Sequence, residues 1–367
     1  MRLSRGGTPD YVFIGIIVIL TVIGLVMLAS ASSDLAQERF GNSYYYITHQ
    51  IVNGLLVGVI GFFIGLFVPL KLWEKYSLYI FLLSLALLAL VFVPSLGVYT
   101  KGAERWLNIG GFNFQPGELL KLTFLIFLSA WAARDKERGK TISRGLIPFI
   151  FILGVPVGLL FLQPATTIAV ILVGAVLAAY FAAGAKVRYI IAIILLGIIA
   201  VGILISTTDY RMDRITSYLN PDSDPLGKTY HISQSLNAIG AGGLWGVGFG
   251  NSTTKLKYLP EPIGDSIFAV IGEEFGFVGS MFVVLLFGVF IWRGFFIARR
   301  ARDNFSRSLA VGFTTLIGFQ AFVNIGAISG LLPLTGIPLP FISYGGTALA
   351  VFLTMCGILA NISRSRR

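Results

Sequence analysis

The chain has 367 residues, 56% of them hydrophobic and only 12% charged, with a net charge of +11 and a mean hydropathy of +0.83. A soluble protein carries about twice that charged fraction, so the composition excludes a soluble globular domain and points to an integral membrane protein. The positive charge sits in short clusters between apolar runs, which reads as membrane orientation and contact with anionic lipid heads, not as nucleic-acid binding.

Residues Met1 to Asp10 lead into the first apolar run without a convincing cleavage site, so that run is expected to stay as a membrane anchor. Runs long enough to cross a bilayer lie near 11–30, 51–69, 77–94, 118–133, 146–162, 167–184, 189–206, 266–292, 309–329 and 342–361. The fifth and sixth are separated only by Gln163-Pro164-Ala165-Thr166, where proline stops the helix. With the N-terminus in the cytoplasm, 19 of the 28 Lys and Arg fall on the inner side, in keeping with the positive-inside rule. The expected fold is therefore an all-α integral membrane protein of ten transmembrane helices. It forms one polytopic domain over 1–367 with both termini cytoplasmic. No internal repeat is evident, which weakens the case for a transporter built from inverted halves.

Two extracytoplasmic segments remain, 95–117 and 207–265. The second, between spans seven and eight, is far longer than an ordinary connection. Its aromatic residues (Tyr210, Tyr218, Tyr230, Trp245, Phe249 and Tyr258) favour an ordered, functional loop. One cysteine, Cys356, excludes an intramolecular disulfide. The two histidines, His49 and His231, stand far apart in sequence, which argues against a histidine zinc site, and no dedicated metal-ligand set is visible.

Acidic groups beside lipid are costly, about 2.5–3.5 kcal/mol at a helix centre, so each needs a reason. Asp265 follows Pro260, Pro262 and Gly264 at the mouth of span eight. It either caps that helix, a contribution of about 0.5–2 kcal/mol, or serves as a general base facing an outer cavity. Glu273, eight residues on, shares its helix face, whereas Glu274 turns away and reads as a buried carboxylate bonded to neighbouring helices. Glu118 and Lys121 open span four at i,i+3 spacing, close enough to pair; alternatively Lys121 meets an anionic lipid head. Lys101, Arg105, Arg211, Arg214, Lys228, Lys255 and Lys257 lie in the two outer segments and could clamp a diphosphate. The glycines between 240 and 250 permit close backbone approach, but the run lacks the ending of a P-loop. Gly336-Ile-Pro-Leu-Pro-Phe-Ile-Ser-Tyr-Gly-Gly346 leads brokenly into span ten. Such backbone is tolerated only when buried in protein or lining a cavity, so Ser343 and Asn324 read as cavity wall.

Taken together these residues resemble the SEDS family (shape, elongation, division and sporulation), in particular its division type. The marks run along nearly the whole chain: Lys101-Gly-Ala-Glu-Arg-Trp106, Phe114-Gln-Pro-Gly-Glu-Leu-Leu-Lys121, Gln234-Ser-Leu-Asn-Ala-Ile-Gly-Ala-Gly-Gly243, Tyr258-Leu-Pro-Glu261, Glu273-Glu-Phe-Gly276 and Pro340-Phe-Ile-Ser-Tyr-Gly-Gly346. The resemblance implies a peptidoglycan glycosyltransferase that polymerises lipid II at the outer face of the cytoplasmic membrane during septal cell-wall synthesis. It also implies a class B penicillin-binding protein and other division proteins as partners. The family's essential aspartate falls on Asp265 and its paired charges on Glu118 and Lys121. The substrate-binding set expected here is Arg105, Lys121, Glu118, Arg211, Arg214, Lys255 and Ser343. No cofactor is expected to be tightly bound, though a divalent cation (Mg or Mn) could accompany the lipid diphosphate. Two departures stand out: Gly264-Asp265-Ser266 where the family usually has Thr-Asp-Phe, and Ala165 where it often has Asp. The rival readings are an elongation-type polymerase, a lipid II flippase and a non-catalytic scaffold. Against the flippase, the charged groups lie at the outer edge and not at the bilayer midplane.

Overall fold

The structure is a computed structural model that describes residues 7–93, 96–100, 103–110, 112–206, 212, 216, 218–219, 229–256 and 258–364. It is mainly helical. The helices are α1 (Tyr11–Phe40), α2 (Tyr45–Phe67), α3 (Leu70–Leu90), α4 (Pro116–Ala133), α5 (Ile142–Leu162), α6 (Thr166–Ala182), α7 (Val187–Ser206), α8 (Tyr230–Ala241), α9 (Ile267–Arg299), α10 (Asn304–Ile328) and α11 (Gly346–Arg364). Eight of them, α1 to α5 and α9 to α11, are long and apolar enough to cross a membrane; 166–182 and 187–203 are shorter apolar helices.

Local sequence sets the ends. Asp10 caps α1 by accepting from the Phe13 amide at 3.1 Å, and Gly41 closes it in the left-handed conformation, φ 66°. The helix overruns the expected 11–30 because its last ten residues carry Asp34, Glu38 and Arg39, which suit water and still propagate helix. Proline opens α4, where its missing N–H costs nothing. Asp303 caps α10 through the Ser306 amide at 2.8 Å.

Helices α4, α10 and α11 form the buried centre, whereas α2, α3, α5 and α9 leave most of their most apolar stretch open toward lipid. The seam between α2 and α11 is built from small residues. Gly54, Gly58, Gly61 and Gly65 lie directly against Gly346, Ala350, Thr354 and Ile358, and a Cβ at Gly65 would stand 2.7 Å from the Ile358 nitrogen. In lipid such backbone approach replaces the hydrophobic drive that is absent there. At the start of this seam α2 widens into a π-helical stretch, Gln50–Leu56.

The expectation of an all-α chain needs one correction. Segment 95–117 contains a three-stranded antiparallel sheet, β1 (Gly97–Thr100), β2 (Ala103–Ile109) and β3 (Phe112–Phe114), in the order β1-β2-β3. Ile109 pairs with Phe112, and Gly110 takes φ 60°, as a tight hairpin turn requires.

The polarity of the bundle follows from a few contacts. The Gly7 amide donates to Arg364 O at 3.1 Å, the Asp10 amide to Ser363 Oγ at 2.9 Å, and Arg293 Nη2 pairs with Asp10 Oδ2 at 2.5 Å. Both ends of the described chain thus share one end of the bundle with the end of α9, and Asp265 lies beyond the other end of that helix.

Candidate active site

Asp265 sits in a compact turn, 260–266, ahead of α9. The helix begins at Ile267 with Ser266 as its cap residue, and Ser266 makes no side-chain capping bond. Asp265 is half-buried and is held by its main chain. Asn324 Nδ2 of α10 donates to Asp265 O at 2.9 Å, and the Ser343 hydroxyl donates to Gly264 O at 2.6 Å. The Tyr344 amide donates to Ile263 O at 2.8 Å, and the Gly264 amide to Glu261 O at 2.9 Å.

The broken segment before α11 forms the other wall of this turn. Asn324 Nδ2 also binds Ile337 O at 2.8 Å, Gln320 Nε2 binds Pro338 O at 2.9 Å, and the Gly345 amide donates to Gln50 Oε1 at 3.0 Å. Ile337, Leu339, Phe341 and Ile342 are buried, so this backbone is enclosed by protein, as membrane depth requires. Two non-glycine residues in these facing loops adopt positive φ, Glu261 at 51° and Phe341 at 65°. Each such residue costs about 1–3 kcal/mol and persists only where its surroundings over-determine it.

Below the turn, α9 is broken at Gly276, φ 65° and ψ −160°. The chain following α8 fills the gap: the Val247 and Gly248 amides donate to Glu273 O and Glu274 O at 2.9 and 3.0 Å. The Phe277 amide in turn donates to Gly243 O at 2.9 Å. The glycine run therefore serves close approach to α9; a Cβ at Gly246 would lie 2.2 Å from Glu274 O. Glu273 is committed to the 252–254 turn, accepting from Ser252 Oγ at 2.5 Å, from the Thr253 amide at 3.0 Å and from Thr254 Oγ1. Glu274 faces α1, where Ser30 Oγ donates to Oε1 at 2.6 Å and Lys255 Nζ at 2.8 Å. Lys255 is itself buried and also reaches Ser30 Oγ and Gly250 O, both at 2.9 Å. Its ammonium points into the bundle, not toward an outer cleft.

The pairing expected at the head of α4 is present. Lys121 Nζ lies 2.8 Å from Glu118 Oε2, off the alignment of a hydrogen bond. It also donates to Gln320 Oε1 at 2.8 Å and stands 4.9 Å over the Phe352 ring. Lys121 is 1% exposed, so the pair joins α4, α10 and α11 from within. Arg105, on β2, anchors the sheet to the α5–α6 turn by donating to Gln163 O at 3.1 Å and Pro164 O at 2.7 Å. Arg211 and Arg214 lie outside the described residues. Among the described residues no group of three or more His, Cys, Asp or Glu side chains could hold a metal ion.

One participant escaped the sequence reading: His231 of α8, whose Nε2 lies 2.6 Å from Ser266 Oγ. Its partner is 35 residues distant in sequence, and no spacing rule links them.

Similarity to known proteins runs the length of the chain. Stage V sporulation protein E of Bacillus subtilis (strain 168) is 38% identical over 364 residues, 99% of each chain. The "Probable peptidoglycan glycosyltransferase FtsW" of Geobacter sp. (strain M18) is 38% identical over 358 residues, 98% of this chain and 97% of its own. Among solved structures, a chain from a peptidoglycan synthase complex that coordinates polymerization and crosslinking superposes with a TM-score of 0.80, at 28% identity over 99% of this chain and 98% of its own. The rod shape determining protein RodA of Thermus thermophilus gives 0.72 at 28% identity, over 98% of this chain and 97% of its own. The profile of the FtsW, RodA and SpoVE proteins, described as cell cycle proteins, matches residues 10–367, and the chain belongs to that family.

Proposed function

We propose that the chain is a peptidoglycan glycosyltransferase that polymerises lipid II at the outer face of the cytoplasmic membrane, in division-type cell-wall synthesis. The name of its Geobacter relative supports this reading. The single observation that carries the site is the half-buried Asp265 on a turn immobilised from α10 and the α10–α11 segment. A base held so rigidly needs no reorganisation when it acts.

In the reaction Asp265 accepts the proton of an acceptor sugar hydroxyl as that oxygen attacks the anomeric carbon of the lipid-linked donor. The bond from that carbon to the diphosphate breaks, and the lipid diphosphate leaves with the electron pair. Arg105, Arg211 and Arg214 are the cations assigned to its charge. Lys121 and Lys255, each enclosed with a carboxylate, tie neighbouring elements of the bundle together, and direct contact with substrate would require opening those pairs. Glu118 supports Lys121, and Ser343 supports the Asp265 turn through Gly264 O. A divalent cation accompanying the diphosphate finds no dedicated ligand set among the described residues, so no step is routed through one.

The topology proposed is ten spans with both termini cytoplasmic, including the shorter α6 and α7. The partner is a class B penicillin-binding protein that crosslinks the strands, in line with the likeness to a peptidoglycan synthase complex. Reconstitution with lipid II tests the activity. Glycan strands should form with the wild type and fall by at least about 100-fold, the lower end of a general base's contribution, with Asp265→Asn. Unchanged strands with impaired lipid II movement across the bilayer would favour a flippase instead.

A further inference from the structure

We propose that His231 is a positioning residue for Asp265, acting through the Ser266 hydroxyl; the inference rests on the assignment of Asp265 as the base. The direction of the hydrogen-bond chain follows from chemistry. Ser266 Oγ lies 2.7 Å from Pro260 O, and a carbonyl only accepts, so the single hydroxyl proton points there. The 2.6 Å contact with His231 Nε2 is then an N–H donating to the hydroxyl oxygen.

Two consequences follow. The Ser266 hydroxyl closes the turn end to end, from residue 266 back to residue 260, with Asp265 inside the closed loop. Ser266 spends nothing on its own helix, since it makes no capping bond there, and it is fully buried. The lone pair that faces α8 is filled by His231, whose own backbone is braced by Ser235 Oγ donating to His231 O at 2.8 Å. Helix α8 is in turn seated on α9, where a Cβ at Gly242 would stand 1.9 Å from Gly272 O. The aspartate's turn is thus fixed from three sides: by Asn324 of α10, by Ser343 and Tyr344 before α11, and by His231 of α8.

The requirement on residue 231 is one N–H at the reach of Nε2. Gln can supply it with its carboxamide, whereas Asn is too short and Ala lacks it. The test is lipid II polymerisation by the full chain reconstituted with its transpeptidase partner. His231→Ala and Ser266→Ala should each lower kcat about tenfold, the scale of one lost buried hydrogen bond, with KM within about twofold. The double variant should be no slower than either single one, and His231→Gln should recover most of kcat. Thermal unfolding of each variant identifies any that fail to fold, and His231→Asn then replaces His231→Ala. Wild-type kcat in His231→Ala or His231→Asn, losses that multiply in the double variant, or failure of Gln to rescue would each overturn the inference. Asp265→Asn in the same assay separates the two claims: if it still polymerises, the assignment of the base is what fails.

Discussion

Glu118 and Lys121 are 2% and 1% exposed, and neither has a route to water except by opening the packing of α4 against α10 and α11. Their stabilising effect is conditional. Removing one partner of a buried pair leaves an uncompensated charge and costs about 3–5 kcal/mol, whereas replacing both by apolar groups of similar volume is often nearly neutral. Lys121→Met alone is therefore expected to lower the unfolding temperature of the purified protein sharply. Glu118→Gln alone should do so as well, because the buried Lys121 ammonium would lose the carboxylate charge beside it. The double variant should recover a substantial part of the loss. Equal additive losses would mean that the two charges do not act as a pair. If the double variant regains stability but stays inactive, the pair contributes to the reaction beyond folding. The i,i+3 spacing made this pair legible in the sequence. Its third member, Gln320, is 199 residues away from Lys121, and its fourth neighbour, the Phe352 ring, lies on α11, so the network was not.

Helix α9 shows how an apolar run can conceal a break. From Ile267 to Arg299 the sequence reads as one long span, and the single glycine at 276 is an ordinary interruption by composition. What makes it a break is the chain about 30 residues upstream. The 243–248 stretch satisfies carbonyls and amides that a continuous helix would pair internally, and Gly246 at φ 82° has no room for a side chain. The glycine run was read from the sequence as a place of close backbone approach. The surface it approaches is α9, a fact that only tertiary structure supplies. Gly246→Val is expected to strain the backbone by about 1–3 kcal/mol and to push the added side chain against Glu274 O, loosening Glu273 and Glu274 together. The measurable outcome is a lower unfolding temperature with faster amide exchange across the second half of α8 and the 252–256 turn. Exchange confined to residue 246 itself would mean that the loop does not brace the helix. The seam of α2 and α11 was equally hidden, since four glycines at helical spacing in lipid-facing sequence become a stripe only once their partner is known.

At the scale of the whole molecule, most spans were legible because a bilayer imposes length and apolarity on each helix independently. The small sheet was missed for the converse reason: its strands are three to seven residues long and lie in a segment rich in glycine. Helix α6 falls short of the usual length, and its role depends on where its ends lie. Helix α6 starts from the α5–α6 turn, which Arg105 ties to the sheet. It ends beside the α4–α5 link, where Tyr180 Oη donates to Arg138 O at 2.7 Å and the Lys186 amide to Gly139 O at 3.0 Å. Its 17 residues cover about 25 Å at 1.5 Å per residue, the lower limit of a span, and they run from one polar end of the bundle to the other. Cysteine accessibility tests this directly, because Cys356 is free and fully buried and should stay silent toward an impermeant maleimide. Tyr258→Cys should label in intact spheroplasts, whereas Glu137→Cys and Lys186→Cys, all at exposed positions, should label only after permeabilisation. Labelling of Lys186→Cys from outside would remove α6 from the set of spans. Protection of Tyr258→Cys would invert the orientation and put Asp265 on the wrong side of the membrane for an extracytoplasmic polymerase.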